Sequence, residues 1–146
     1  MKRRRDRESG ATAIEFVVLT PILFLLMFGS VQIGLALFAR HVAVSAAQQG
    51  AREAREDAAN TNVDWQTEST GAATGWVTDL LSDLVQGAPT AQPVVRVPLQ
   101  DPYPEVGVSV QFSIVSVVPG WDFTQNATSV GPVECFYDVN GFCDGE

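Results

Sequence analysis

The sequence predicts an α+β protein: a long N-terminal transmembrane α-helix that continues outside the membrane, packed against a small antiparallel β-sheet domain with one extra short helix. Three observations predict it. Between Phe16 and Ala39 lie 24 residues without an ionisable side chain. Beyond them small residues recur at every fourth position as far as Ala58. Further on, Val106, Val108, Val110, Phe112 and Ile114 alternate with Gly107, Ser109, Gln111 and Ser113, the period-two pattern of a half-buried strand.

The charge-free run comes first. At 1.5 Å per residue it makes a helix of about 36 Å, enough to cross a hydrocarbon core of roughly 30 Å with some tilt. Lys2, Arg3, Arg4, Arg5 and Arg7 precede it, whereas only Arg40 and His41 follow closely, so the amino end is expected in the cytoplasm. Everything after Ala39 is then expected to face outward, and residues 11–146 hold 4 Arg against 15 Asp and Glu. That acidic balance argues against nucleic-acid binding, which needs cations to neutralise phosphates. A buried core helix of this length would need a larger domain around it. A cleavable secretory signal has a shorter apolar region, although Val44-Ser45-Ala46 fits a weak cleavage site of that kind.

Past the membrane, Ala39, Ala43, Ala47 and Ala51 form one stripe, and Ala46, Gly50, Ala54 and Ala58 form another beside it. The opposite face carries Arg40, Gln48, Gln49, Arg52, Glu53, Arg55 and Glu56, with Arg52 and Glu56 spaced as a helical ion pair. One continuous helix is expected from about Thr12 to about Ala58. Its bare face has two possible partners, the chain's own domain or sister helices. Within the membrane part, Pro21 frees a carbonyl one turn back and bends the axis. Ser30 and Gly34 make a small-xxx-small pair suited to close helix approach.

Residues 60–75 have loop composition and no sustained period. Trp76, Val77, Leu80, Leu81, Leu84 and Val85 then recur at helical spacing, with Gly87 where such a helix would stop. Val94–Val97 reads as a short strand limited by Pro98, and Asp101-Pro102-Tyr103-Pro104 as a rigid turn. The clearest strand runs from Val106 to Ile114, with a bulge or its end at Val115–Val117. Val133–Tyr137 and a segment after Asn140-Gly141 suggest a hairpin. Cys135 and Cys143 are the only cysteines. In an exported segment a bond between them is the natural expectation. Two free thiols or a metal site are the alternatives, the latter short of ligands with only His41 elsewhere.

No catalytic constellation, phosphate-binding loop or calcium-loop spacing emerges, so neither an enzyme nor a cofactor is expected. Asn126-Ala127-Thr128 fits a glycosylation acceptor only formally.

The run Gly10-Ala11-Thr12-Ala13-Ile14-Glu15-Phe16, with a basic leader before it and an apolar helix after it, resembles the recognition sequence of type IV prepilins. The longer string from Gly10 through Pro21 to Phe28-Gly29-Ser30 is similar to the TadE-like pseudopilins of tight-adherence, or Flp-type, pilus systems. The resemblance covers roughly residues 8 to 55. It implies cutting after Gly10 by a membrane-embedded prepilin peptidase, release of the Ala11 amine, and Glu15 as the fifth residue of the mature chain. Glu15 is expensive beside hydrocarbon unless a cation meets it. By the same resemblance that cation is the Ala11 amine of a neighbouring subunit, which sets axial register. The bland alternative leaves Glu15 among headgroups as a helix-start anion.

Phe16 stands where major Flp pilins often have Tyr. Those subunits are little more than the helix, so about 90 further residues here favour a minor or accessory pseudopilin. The implied partners are the prepilin peptidase, other pilins and pseudopilins, the inner-membrane pilus assembly machinery and the lipid bilayer. The implied carboxy-terminal feature is a disulfide loop like that of many pilins. The expected organisation is a basic cytoplasmic leader over residues 1–10, a helix over 11–58 with 16–39 in the membrane and 40–58 beyond it, and a small extracytoplasmic domain over 59–146. The competing reading is a single-pass membrane-anchored binding protein that never enters a filament. A secreted enzyme beginning near Gln48 forms a third class.

Overall fold

A computed structural model describes residues 5–59, 62–99, 104–117 and 120–134, with side chains from Ala13 onward. The architecture is the predicted one. Helix α1 (Arg5–Asp57) runs 53 residues without a break, about 80 Å at standard rise. Helix α2 (Trp65–Leu81) returns along it. A single 3-10 turn, Ser82–Leu84, leads into strands β1 (Val85–Val97), β2 (Glu105–Ile114) and β3 (Phe123–Pro132). They form one antiparallel sheet in the order β1-β2-β3.

The bare face of α1 settles against its own domain. Ala39, Ala43, Ala46, Ala47, Gly50, Ala51 and Ala54 are all buried, opposite α2 and the inner face of β2, where Val106, Val108, Val110, Phe112 and Ile114 point inward. Small side chains on α1 are what let the backbones approach. A Cβ placed on Gly50 would lie 2.8 Å from the Ser69 carbonyl oxygen, 2.9 Å from Ala73 Cβ and 3.1 Å from Val108 Cγ2. Arg52 Nε donates to Glu56 Oε1 at 2.8 Å on the solvent side, as the spacing predicts.

Besides β1, which starts at Val85 and runs through Pro89 and Pro93 where the sequence predicts only a short strand over Val94–Val97, three sequence expectations change. Residues 65–75 are helix, not loop, because α2 buries a stripe one residue wide, Trp65, Ser69, Ala73, Val77 and Leu81. Such a narrow stripe gives little periodic signal. Thr70, Thr74 and Thr78 turn their hydroxyls back onto the carbonyls of Gln66, Thr70 and Thr74, which satisfies them within a helix they favour poorly. The helix also ends earlier than Gly87. Leu81 is its last residue and Val85 already belongs to β1. Gly87 instead holds φ +82 in a bulge, where the pairing jumps from Gln86 opposite Ser113 to Thr90 opposite Gln111. That conformation suits glycine.

The third change concerns the last strand. The partner of β2 is Phe123–Pro132, which has little apolar alternation, whereas Val133 and Glu134 lie outside any strand. Their amides bond to the Pro104 and Arg55 carbonyls instead. Most of the expected hairpin falls outside the described residues, as do both cysteines and the turn at Asp101–Tyr103.

The outer sheet face is polar and free of charge over its central rows. Thr90, Gln111 and Asn126 form one cross-strand row, and Gln92, Ser109 and Thr128 the next. Thr128 donates to Ser109 Oγ at 2.9 Å, and the Ser113 and Thr124 hydroxyls are 2.9 Å apart. Hydroxyl and amide side chains at these positions keep that face in water while the valines opposite make the core.

Candidate functional site

Of the residues singled out by sequence, Cys135 and Cys143 fall outside the described residues, and the others lie on the N-terminal arm of α1. Gly10 and Ala11 lie in its first turns, Glu15 and Phe16 follow, and Pro21 lies inside the helix. From Ala13 to Val31 the side chains are exposed, except for half-buried Thr20 and Gly29. Glu15 is exposed among the described residues. The arrangement therefore presents Glu15 and Phe16 to whatever surrounds the arm.

Local chemistry holds this arm helical around its proline. Pro21 has no amide hydrogen to give the Val17 carbonyl. One residue earlier, the Thr20 hydroxyl donates to the Phe16 carbonyl at 2.6 Å, a back-bond that favours bending. Further along, the Ser30 hydroxyl donates to the Met27 carbonyl at 2.8 Å, and the Phe24 and Phe28 rings stack at 6.0 Å. Phe16, Leu19, Thr20, Leu23 and Leu26 line a shallow apolar stripe. Gly34 faces open space, with nothing within 4 Å of a would-be Cβ.

The arm ends where the domain begins, and it does so inside the charge-free run. Gln32 has 0% exposure. Its Oε1 accepts the Val117 amide at 2.6 Å, and its Nε2 has no partner among the described residues. One turn on, Leu35 joins Leu81, Leu84, Ile114 and Val115 around an apolar recess. This junction was not foreseen. Gln32 is the one long polar side chain between Phe16 and Ala39, and that oddity was the signal for it.

At the far end of the domain, Arg55 lies against Gly131, and its Nη2 is 3.8 Å from Glu134. Asp64, just before α2, takes a hydrogen bond from the Thr67 hydroxyl at 2.6 Å. That bond holds the Asp64 carboxyl below the usual range for aspartate. His41 is exposed on α1. By length and composition, α1 is the one described helix able to cross a membrane.

Comparison with known proteins locates the same region. The family model described as TadE-like protein matches residues 10–52. No curated protein and no solved structure matches the chain. The match opens at Gly10, covers the whole free arm and closes within the part of α1 buried by the domain. Over residues 10–52, from the glycine through the apolar arm to the alanine stripes, the chain is therefore similar to the TadE-like proteins.

Proposed function

We propose that this chain is a minor pseudopilin of a Tad or Flp-type pilus: a precursor held in the cytoplasmic membrane, cut after Gly10 and then moved into, or used to prime, a fibre. The observation that carries this reading is the uncovered apolar arm headed by Gly10 and Glu15-Phe16, joined to a packed domain on the same helix. The TadE-like match over residues 10–52 supports it. In a soluble protein, 19 consecutive mostly exposed residues of this composition would be an aggregation hazard. In lipid, or among other pilin helices, they are at home.

Gly10 offers a scissile peptide with no side chain in the way. Cutting there removes the five cations of the leader and frees the Ala11 amine. The new cation and Glu15 of a neighbouring subunit pair favourably where water is scarce. Phe16, Leu19, Leu23 and Leu26 form a stripe on which a second helix can lie, and Ser30 with Gly34 allows close approach. The role is interaction, with the prepilin peptidase first and with sister subunits and the assembly machinery afterwards. The leader's cations favour a cytoplasmic amino end and an extracytoplasmic domain.

Mass spectrometry of the amino terminus from native cells tests the proposal. A chain starting at Ala11 supports it, and Gly10→Val should leave the leader attached. An intact leader on functional protein would instead favour a membrane-anchored binding protein. The uncharged lattice of hydroxyls and amides on the outer sheet face, with Thr90, Gln111 and Asn126 in register, suits a polar ligand in that role.

A further inference from the structure

The folded domain begins too early along α1 to stand clear of a bilayer. The uncovered arm from Ala13 to Val31 is 19 residues, about 28 Å of helix, and from Phe16 it is only about 24 Å, against a hydrocarbon core of roughly 30 Å. Gln32 thus reaches no farther than the outer edge of that core. What surrounds Gln32 is the domain itself, through the Val117 amide and the recess of Leu35, Leu81, Leu84, Ile114 and Val115.

The surface at this end matches such a position. Leu80 near the end of α2, Val115 and Val117 after β2, and Trp121 before β3 are exposed apolar side chains, Trp121 at 55%. Trp121 also leans on Phe123, with ring centroids 6.0 Å apart. On the other side of α1, Ile33, Leu37 and Phe38 are exposed at the same height. These residues continue the apolar surface of the arm around the foot of the domain. A tryptophan at such a boundary suits the headgroup layer, its ring apolar and its N–H wet.

We propose that the foot of the domain is seated in the outer interface of the bilayer, with Leu80, Val115, Val117 and Trp121 in contact with lipid. The partner is a zwitterionic lipid surface. Asp79, Asp83 and Asp122 flank the foot and no Lys or Arg lies among these segments, so the attachment runs on apolar area and gains nothing from anionic headgroups. The inference needs only that α1 crosses a membrane. It holds whether or not the leader is removed.

The three tryptophans make a depth gauge. Trp76 and Trp65 precede Leu81 by 5 and 16 residues on α2, about 8 and 24 Å along the helix axis. The full chain is reconstituted in phosphatidylcholine and phosphatidylethanolamine vesicles whose acyl chains carry bromine near the headgroup, with single-tryptophan variants made by changing the other two to Phe. Trp121 is expected to be quenched severalfold more than Trp65, with Trp76 between them. Should a variant misfold, 5-fluorotryptophan in the unaltered sequence gives three resonances, whose broadening by a nitroxide lipid must follow the same order. Quenching of Trp121 no stronger than that of Trp65 overturns the proposal. So does quenching of Trp76 equal to that of Trp121, which would mean a domain lying on its side.

Discussion

Gly50 is the tightest point between α1 and the rest of the domain, and replacing it with Ala should loosen that contact. The added methyl would meet the Ser69 carbonyl oxygen at 2.8 Å, Ala73 Cβ at 2.9 Å and Val108 Cγ2 at 3.1 Å, where carbon contacts relax near 3.5–4.0 Å. Two of these neighbours belong to α2 and the third to the sheet, so a shift away from one presses on the other. Overpacking of this kind costs about 1–3 kcal/mol. Alanine recovers about 1 kcal/mol through helix propensity, which leaves a net loss of about 0–2 kcal/mol, or a fall in Tm of roughly 4–8 °C for each kcal/mol. Gly50→Val should lose more. Gly71→Ala and Gly75→Ala are the controls, because a Cβ at either meets nothing within 4 Å and the propensity gain stands alone. Thermal unfolding of the detergent-solubilised chain, followed through the fluorescence of buried Trp65, measures all four. Gly50→Ala as stable as Gly71→Ala would refute the close-packing argument.

Glu15→Ala should leave cutting after Gly10 intact while abolishing entry into fibres; loss of both, scored by amino-terminal mass spectrometry and by shearing of surface fibres, would count against a register role. Gln32→Leu takes the acceptor from the Val117 amide at a cost of about 1–3 kcal/mol, partly offset by removal of the unpartnered Nε2. Hydrogen exchange at Val117 should quicken, and unchanged protection would show that the bond does not hold the domain to the arm. The depressed pKa of Asp64, caused first by the Thr67 hydroxyl, contributes stability that is complete above about pH 4 and is lost as pH falls through the folded-state value. Thr67→Val should raise the Asp64 pKa seen by NMR titration, and an unmoved value would assign the depression elsewhere.

The parts of the fold that were legible are those where one side of an element meets apolar neighbours and the other meets water. Val106 to Ile114 alternates because β2 is central with a single buried face. The alanine stripes are regular because two backbones must come close along their whole length. Residues 65–75 were unreadable because α2 touches α1 through one residue per turn and carries hydroxyls elsewhere. Strand β3 was missed because it is an edge strand whose outward side chains, Thr124, Asn126 and Thr128, are polar and whose inward Gln125 and Ala127 are only half-buried. At the candidate site, the charge-free run and its Gly10 and Glu15 heading were plain, since hydrocarbon tolerates so few residue types. Where the domain starts to cover the helix was not, because Leu35 and Ala39 look the same to lipid as to a protein core.

Helix α1 passes from its free arm into the core with no joint at Val31 and Gln32, so the domain cannot swivel on its stalk. At 3.6 residues per turn, each residue added between those two positions would swing the outer sheet face by about 100° around the stalk. The compass bearing of Thr90, Gln111 and Asn126 relative to the stripe of Phe16, Leu23 and Leu26 is thereby written into the number of residues between them. A one-residue insertion keeps every local contact of the domain and still turns its outer face toward a different neighbour.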